Sequence, residues 1–302
     1  MSKGPVYPQR PSKAVTRIVL VEMLQRLAGL ADVTTFQYIG FGALEFIDFD
    51  LVHRRLGVSR MTSIEKRPGE VQRQSANVPF RGITVLEGDA KNVLPTLDWD
   101  PLSIVWLDFE DALNYSSVIP AVEHVVRKLR PGSALAVTLR AEPHKPLYER
   151  LAQLEADIGP ERVPIGTTDA TLGDWGTAIL QRDVLDAVIR AEVQGRAGGL
   201  STWNQILNIQ YADSTKMQIV AGVIGDSVVD QSIRLCAFDK IGSYRNASEA
   251  LRIEVPYLTP KEQRLLNERL PRKKGARLSL PGVPKDEISA YAEAYRWLEA
   301  TA

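Results

Sequence analysis

The stretch Phe36-Gln37-Tyr38-Ile39-Gly40-Phe41-Gly42-Ala43-Leu44-Glu45 decides how this chain is read. An apolar run breaks at Gly40-Phe41-Gly42. Glycine tolerates positive φ and lets a ligand approach the backbone closely. Leu44, Ile47, Leu51 and Leu56 recur at roughly helical spacing, which predicts a helix over 44–56 opening just after the glycines. Met61-Thr62-Ser63-Ile64-Glu65 is a second strand candidate, and its acid stands 23 residues after Gly42. A glycine turn, a helix start and an acid about twenty residues further on form the nucleotide-binding βαβ pattern, in which the acid accepts hydrogen bonds from both ribose hydroxyls. Glu45 occupies the place of the third small residue of the dinucleotide pattern. A carboxylate there opposes a pyrophosphate, which disfavours NAD but not a ligand without phosphates. The alternative reading of the same residues is an ordinary βα turn.

The rest of the 302-residue chain sets the bounds. Its 44% hydrophobic and 25% charged residues are those of an ordinary soluble globular protein. Lys+Arg and Asp+Glu are both 37, so no global field draws the chain to nucleic acid or membrane. Cys236 is the only cysteine, which excludes an intrachain disulfide and a cysteine-built metal site. His53, His124 and His144 are widely spaced and show no ligand pattern. No run of about 18 apolar residues offers a membrane span. Met1-Ser2-Lys3-Gly4-Pro5 has no apolar signal core behind it, so a cytoplasmic protein is expected.

Residues 1–11 carry three prolines and are expected to be an extended arm. Ser12 is a candidate cap for a helix running to about Leu30, with Val15, Val19, Met23 and Leu27 on one face. Arg10, Lys13 and Arg17 are expected to be a solvated helix start, with a lid over a ligand at the sheet edge as the alternative. From Thr34 onward, strand candidates at 34–39, 60–65, 82–87, 103–108 and 133–139 alternate with helix candidates at 44–56, 69–77 and 118–129. Ile104-Val105-Trp106-Leu107 and Ala134-Leu135-Ala136-Val137 are near-continuous apolar runs, as strands buried on both faces require. Further helices are expected from Leu147 to Ile158 and over 178–191, around a loop from Gly166 to Gly176. Two strands, 207–211 and 217–224, follow so closely that only an antiparallel hairpin can join them. After about Asp239 the pattern becomes helical, with a capping box at Thr259-Pro260-Lys261-Glu262 and a last helix over 285–299. An α/β fold with an open, doubly wound, mostly parallel sheet is expected, its ligand site at the carboxyl ends of the strands. Residues 1–240 are read as that domain with its N-terminal helical arm, and 241–302 as a C-terminal helical extension.

This order of elements resembles the class I S-adenosylmethionine-dependent methyltransferases, over about residues 13 to 226. Tyr38-Ile39-Gly40-Phe41-Gly42 looks like the family's first motif, whose backbone approaches the methionine part of the cofactor. Glu65 looks like its ribose-binding acid. Glu87-Gly88-Asp89-Ala90 is similar to the Gly-Asp-Ala motif, where the acid receives the adenine amino group and the next backbone amide serves the ring. Trp106-Leu107-Asp108-Phe109-Glu110-Asp111 resembles the motif that faces both methyl group and acceptor. Leu129-Arg130-Pro131-Gly132 looks like the turn before the fifth strand. The resemblance implies a seven-stranded sheet ending in an antiparallel hairpin, S-adenosylmethionine as cofactor, and cofactor contacts at Gly40, Phe41, Gly42, Glu65, Asp89, Ala90 and Asp108.

Methyl transfer from a sulfonium depends mainly on alignment, aided by removal of the acceptor's proton. Asp108, Glu110 and Asp111 are the candidate bases, Asp108 first among them. A catechol-type magnesium site would need an Asp-Asn-like pair after the fifth strand, where Leu139-Arg140-Ala141-Glu142 stands, so no metal is expected. The amino-methylating Asn/Asp-Pro-Pro-aromatic pattern is absent, because Phe109-Glu110-Asp111 follows the acid. An oxygen or nitrogen methyltransferase acting on an unidentified acceptor is the principal expectation. The alternative is a catalytically inactive binding or assembly protein, meeting a protein or nucleic acid through Arg269, Arg272, Lys273, Lys274 and Arg277. A solvated linker is the ordinary explanation of that basic run.

Overall fold

The structure is a computed structural model and describes residues 10–196, 200–273 and 276–298. Most of the expected arm, residues 1–9, and Lys274 of the basic run lie outside the described residues. Five parallel strands occupy the expected places to within a few residues: β1 (Gln37–Gly40), β2 (Arg60–Glu65), β3 (Ile83–Glu87), β4 (Ser103–Asp108) and β5 (Ala134–Arg140). The first begins later than expected because Val33–Thr35 wind into a 3-10 turn, capped by the Asp32 carboxylate on the Thr34 amide.

The antiparallel hairpin is β6 (Thr202–Ala212) with β7 (Lys216–Gly225), and the sheet runs β3-β2-β1-β4-β5-β7-β6-β8. An eighth strand, β8 (Leu251–Ile253), is therefore added to the seven expected, parallel to β6. Three residues are too few to show a period. Side chains of β6 hold the approach to it instead. Gln205 Nε2 donates to the Arg245 and Ala247 carbonyls at 2.9 and 2.7 Å, and Asn208 Nδ2 to the Ser248 carbonyl at 2.9 Å.

Helices cover both faces, and the period-2 alternation of each strand divides the core between them. Ile39, Val105, Leu107, Leu135 and Val137 join one cluster with α4 (Ala90–Val93), α5 (Val118–Lys128), α6 (Arg150–Ile158) and α7 (Gly176–Gln194). Tyr38, Ile104, Trp106, Ala134 and Ala136 join the other with α1 (Pro11–Gln25) and α2 (Ile47–Leu56). The short α3 (Glu70–Ala76) and α8 (Ser227–Ser232) flank β3 and β7. α9 (Pro260–Asn267) and α10 (Lys285–Ala294) share a small separate cluster, Leu258, Leu266, Ile288 and Tyr291. The expected capping box opens α9: Glu262 accepts from the Thr259 amide at 2.7 Å, and the Thr259 hydroxyl accepts from the Glu262 amide at 3.3 Å.

Two local expectations are corrected. Ser12 does not cap α1, which starts after Arg10 with Ser12 inside its first turn. The cap is Asp213, in the β6–β7 turn, whose two carboxylate oxygens accept from the Ser12 and Lys13 amides at 3.0 and 3.1 Å. Helix α2 opens at Ile47 rather than at Leu44, after Phe46 adopts the left-handed region at φ 49°. It buries Asp48, Phe49, Val52 and Leu56 and leaves Ile47 exposed. Edge-on contacts of Phe49 with Tyr38 and Phe46, at 4.8 and 5.4 Å between ring centres, fix that face.

Candidate active site

The carboxyl ends of β1 to β5 lie along one edge of the sheet. At β1, the Gly42 amide donates to Ser63 Oγ on β2 at 3.0 Å. A Cβ on Gly42 would come within 2.4 Å of that oxygen and 2.7 Å of the Phe46 ring. One on Gly40 would meet the Tyr38 hydroxyl at 2.9 Å. Neither glycine has positive φ, so this turn needs glycine for space and not for a left-handed backbone. Phe41 packs edge-on against Phe109 at 5.1 Å.

Glu65 ends β2 half-buried. Its carboxylate accepts from the Arg67 amide at 2.7 Å and from the Gln74 amide side chain. Asp89, also half-buried, caps α4 by accepting from the Lys91 amide at 3.1 Å, with Ala90 buried behind it.

Asp108 ends β4 in different surroundings. Its Oδ2 is 2.8 Å from Lys13 Nζ, and both side chains are about 15% exposed (14% and 15%). One helical turn along α1, Arg17 forms an ion pair with Asp48 at the start of α2. Burial raises the Asp48 acid above its ordinary range, Arg17 draws it down, and the nearby charge of Asp108 raises it again. Burial opposes the Arg17 charge, but Asp48 and Asp108 outweigh it and raise that group. Tyr38 and Tyr211 stand in the same field, and burial first, then Asp48 and Asp108, holds both as neutral phenols. Asp108 Oδ1 and the Tyr211 hydroxyl are buried, and neither has a hydrogen-bond partner among the described residues.

The three candidate bases are thus separated. Asp108 is enclosed, whereas Glu110 is exposed and Asp111 half-buried, and both meet the β2–α3 loop. Asp111 is 3.8 Å from Lys66, and Glu110 is 3.9 Å from Arg67. Because β1 lies between β2 and β4, these contacts bridge the edge on which the glycine turn sits. Sequence reasoning missed Tyr38, Asp48 and Tyr211, and it read Lys13 and Arg17 as solvated. The traceable signal was Asp48, an acid on the same helical face as Phe49 and Val52. At β5, Glu142 accepts from the Lys216 amide at 3.0 Å. Among the described residues no three His, Cys, Asp or Glu side chains gather as a metal ligand set. Arg269, Arg272, Lys273 and Arg277 are exposed on the turn between α9 and α10, with Arg269 donating to the Ser279 carbonyl.

The sequence model of the family described as "Putative O-methyltransferase" matches residues 5–299. The chain belongs to this family. Three solved structures are similar to this O-methyltransferase family member at low identity. Cofactor-bound Rv0187 from MTB is 16% identical, with 75% of this chain and 84% of that one covered and a TM-score of 0.38. The O-methyltransferase from Bacillus cereus in complex with SAH is 16% identical, covering 72% and 84%, at 0.42. Trm1 from Pyrococcus horikoshii with S-adenosyl-L-methionine is 13% identical, covering 74% and 58%, at 0.49. No curated protein matches the chain. No helix among the described residues of this family member is long and apolar enough to cross a membrane.

Proposed function

We propose that the chain methylates a hydroxyl oxygen, with S-adenosylmethionine as donor and Asp108 as proton acceptor. The observation that carries this is Asp108 itself. It is an enclosed carboxylate at the end of β4, beside the glycine turn of β1, with one oxygen held by Lys13 and the other without a partner among the described residues. The residues fit the donor. The turn after β1 carries no side chain at Gly40 or Gly42, and two half-buried acids end β2 and follow β3. Gly40, Phe41 and Gly42 would hold the methionine part, Glu65 the ribose hydroxyls, Asp89 the adenine amino group and the Ala90 amide the ring.

When bound, S-adenosylmethionine supplies a methyl group on a positive sulfur, and S-adenosylhomocysteine is left after transfer. The chain's own part is to align the acceptor oxygen and to take its proton at Asp108 Oδ1. Tyr38 and Tyr211 keep their protons at neutral pH and so add no negative charge near that carboxylate.

Calorimetry with S-adenosylmethionine, followed by incubation of cell extract with methyl-labelled cofactor, tests the proposal. Binding and label on an oxygen are expected. No binding at millimolar cofactor would refute it. The exposed Arg272, Lys273 and Arg277 are a reading to be tested separately. A protein or nucleic-acid partner there requires, for the nucleic acid, a gel shift at low salt that weakens with added salt.

A further inference from the structure

Helix α1 delivers two cations to the candidate site, four residues apart on one face. Lys13 and Arg17 are paired with Asp108 and Asp48, and all four side chains are between 10% and 17% exposed. Stability does not explain them. Enclosing an ion pair gives up hydration that the attraction barely restores, and apolar side chains of similar size do as well or better. Nor is α1 short of other anchors. Val15, Val19, Leu20, Met23 and Leu24 are buried along it, and Asp213 caps its start.

What the pairs do accomplish is geometric. A carboxylate at the end of a strand turns freely about its last bond unless one oxygen is held. Lys13 holds Oδ2 of Asp108, and Oδ1 is buried without a hydrogen-bond partner among the described residues. Lys13 is held in turn, because its own amide is tied to Asp213 and the next turn of its helix is tied to α2 through Arg17 and Asp48. Carboxylate, ammonium and helix therefore share a single arrangement, with α2 itself starting from the glycine turn.

Resting on Asp108 as the proton acceptor, we infer that Lys13 is a positioning residue for methyl transfer: it fixes the Asp108 carboxylate so that Oδ1 alone is presented to the acceptor's hydroxyl. Arg17 supports it from the next turn. Lys13 bonds to Oδ2, not to the oxygen assigned the proton. Its loss must appear in turnover and not in cofactor binding.

The test uses the full chain, methyl-labelled S-adenosylmethionine, and an extract fraction that takes label with the wild-type protein. Lys13→Gln is expected to lower turnover at saturating cofactor by about 10²-fold, the usual effect of a misplaced reacting group. Its cofactor dissociation constant by calorimetry should stay within about threefold of wild type. Lys13→Arg, which keeps the charge and a donor near Oδ2, should recover at least a tenth of the wild-type rate. Lys13→Met removes charge and donor together and should be no faster than Lys13→Gln. If Lys13→Met does not fold, the Arg and Gln variants decide.

Wild-type turnover by Lys13→Gln beside a slow Asp108→Asn overturns this inference alone. So does a loss confined to cofactor affinity, or an Arg variant no better than Gln. Wild-type turnover by Asp108→Asn overturns the reading of Asp108 as base, and the inference with it. The same follows if the wild-type chain transfers no label in any fraction.

Discussion

The two halves of the candidate site hold their acids in opposite ways. On the β1–β3 side, Glu65 and Asp89 are half-buried, and each accepts from a backbone amide two residues along. On the β4–α1 side, Asp108 and Asp48 are enclosed, and their partners lie 95 and 31 residues away. A locally bonded, half-open acid keeps accepting capacity for a ligand. An enclosed, cross-linked acid has its direction fixed by the whole fold. The first arrangement suits recognition of a freely exchanging cofactor, and the second suits the handling of a proton.

Asp108→Asn has the largest expected effect. It keeps the shape and removes charge and basicity, so turnover should fall by roughly 10²–10⁴-fold at saturating cofactor. Survival of turnover with weakened cofactor binding would move Asp108 to the recognition half.

Next in size is Arg17→Met, which leaves the Asp48 carboxylate in the core without its cation. Breaking a buried pair costs roughly 3–5 kcal/mol, to be measured by denaturant unfolding. The pH dependence has a definite sign. Asp48 is already raised by burial, so the folded chain holds that proton more tightly than the unfolded chain. Its contribution to stability is present below the ordinary carboxylate range and is lost as pH rises through the folded value. Without Arg17 the rise is larger, so the deficit of the variant should widen from pH 4 to pH 7. A deficit independent of pH would mean that Asp48 is not ionised in the wild type.

Glu65→Ala belongs to the other half and should leave the fold intact. Losing a charged acceptor for two ribose hydroxyls is expected to cost about 1.5–3 kcal/mol of cofactor affinity by calorimetry. Equal affinity in a folded variant would remove Glu65 from the site.

The smallest effects are expected where the two halves touch. Glu110→Gln and Asp111→Asn break exposed contacts of 3.9 and 3.8 Å, so each should change stability by less than about 1 kcal/mol. Turnover should change by no more than a few-fold, and a chelator should leave it alone. A large loss in either variant would make the surface acids, not Asp108, the bases. Loss in chelator restored by magnesium would place a metal beside them.

The same contrast governs what could be read from sequence. Strands β4 and β5 were legible because burial on both faces writes an apolar run that no turn residue interrupts. Gly40, Gly42, Glu65 and Asp89 were legible because a turn, a strand end and a cap are local events. Of the two causes assigned to the glycines, positive φ is found at neither, and the crowding by Ser63, Phe46 and Tyr38 depends on neighbours that spacing does not reveal. Ser12 has the composition of a cap, but Asp213 occupies that role from the far hairpin, and no local rule could choose between them. Lys13 and Arg17 look like any basic helix start until β4 and α2 are beside them. β8 was hidden for a related reason: the segment leading into it is held by amide side chains of β6, some forty residues earlier.

Helix α1 also sets an order of events in synthesis. Its start is capped by Asp213, the Ser12 hydroxyl accepts from the Val255 amide, and Glu22 accepts from the Trp297 indole, at separations of 201, 243 and 275 residues. At translation speeds of about 5–20 residues per second, the helix leaves the ribosome on the order of 10–50 s before these partners do. Through that interval α1 has α2 to pack on and Asp48 to pair with, but not the cover that β6 gives it or the Asp213 cap that holds the Lys13 amide. The strands that carry the recognition half can pair as they emerge. The cap on the Lys13 amide forms only when the hairpin arrives, so a ribosome stalled short of residue 213 would carry a chain with its glycine turn and its Asp108 already made, but without the anchor that holds the start of α1 beside that acid.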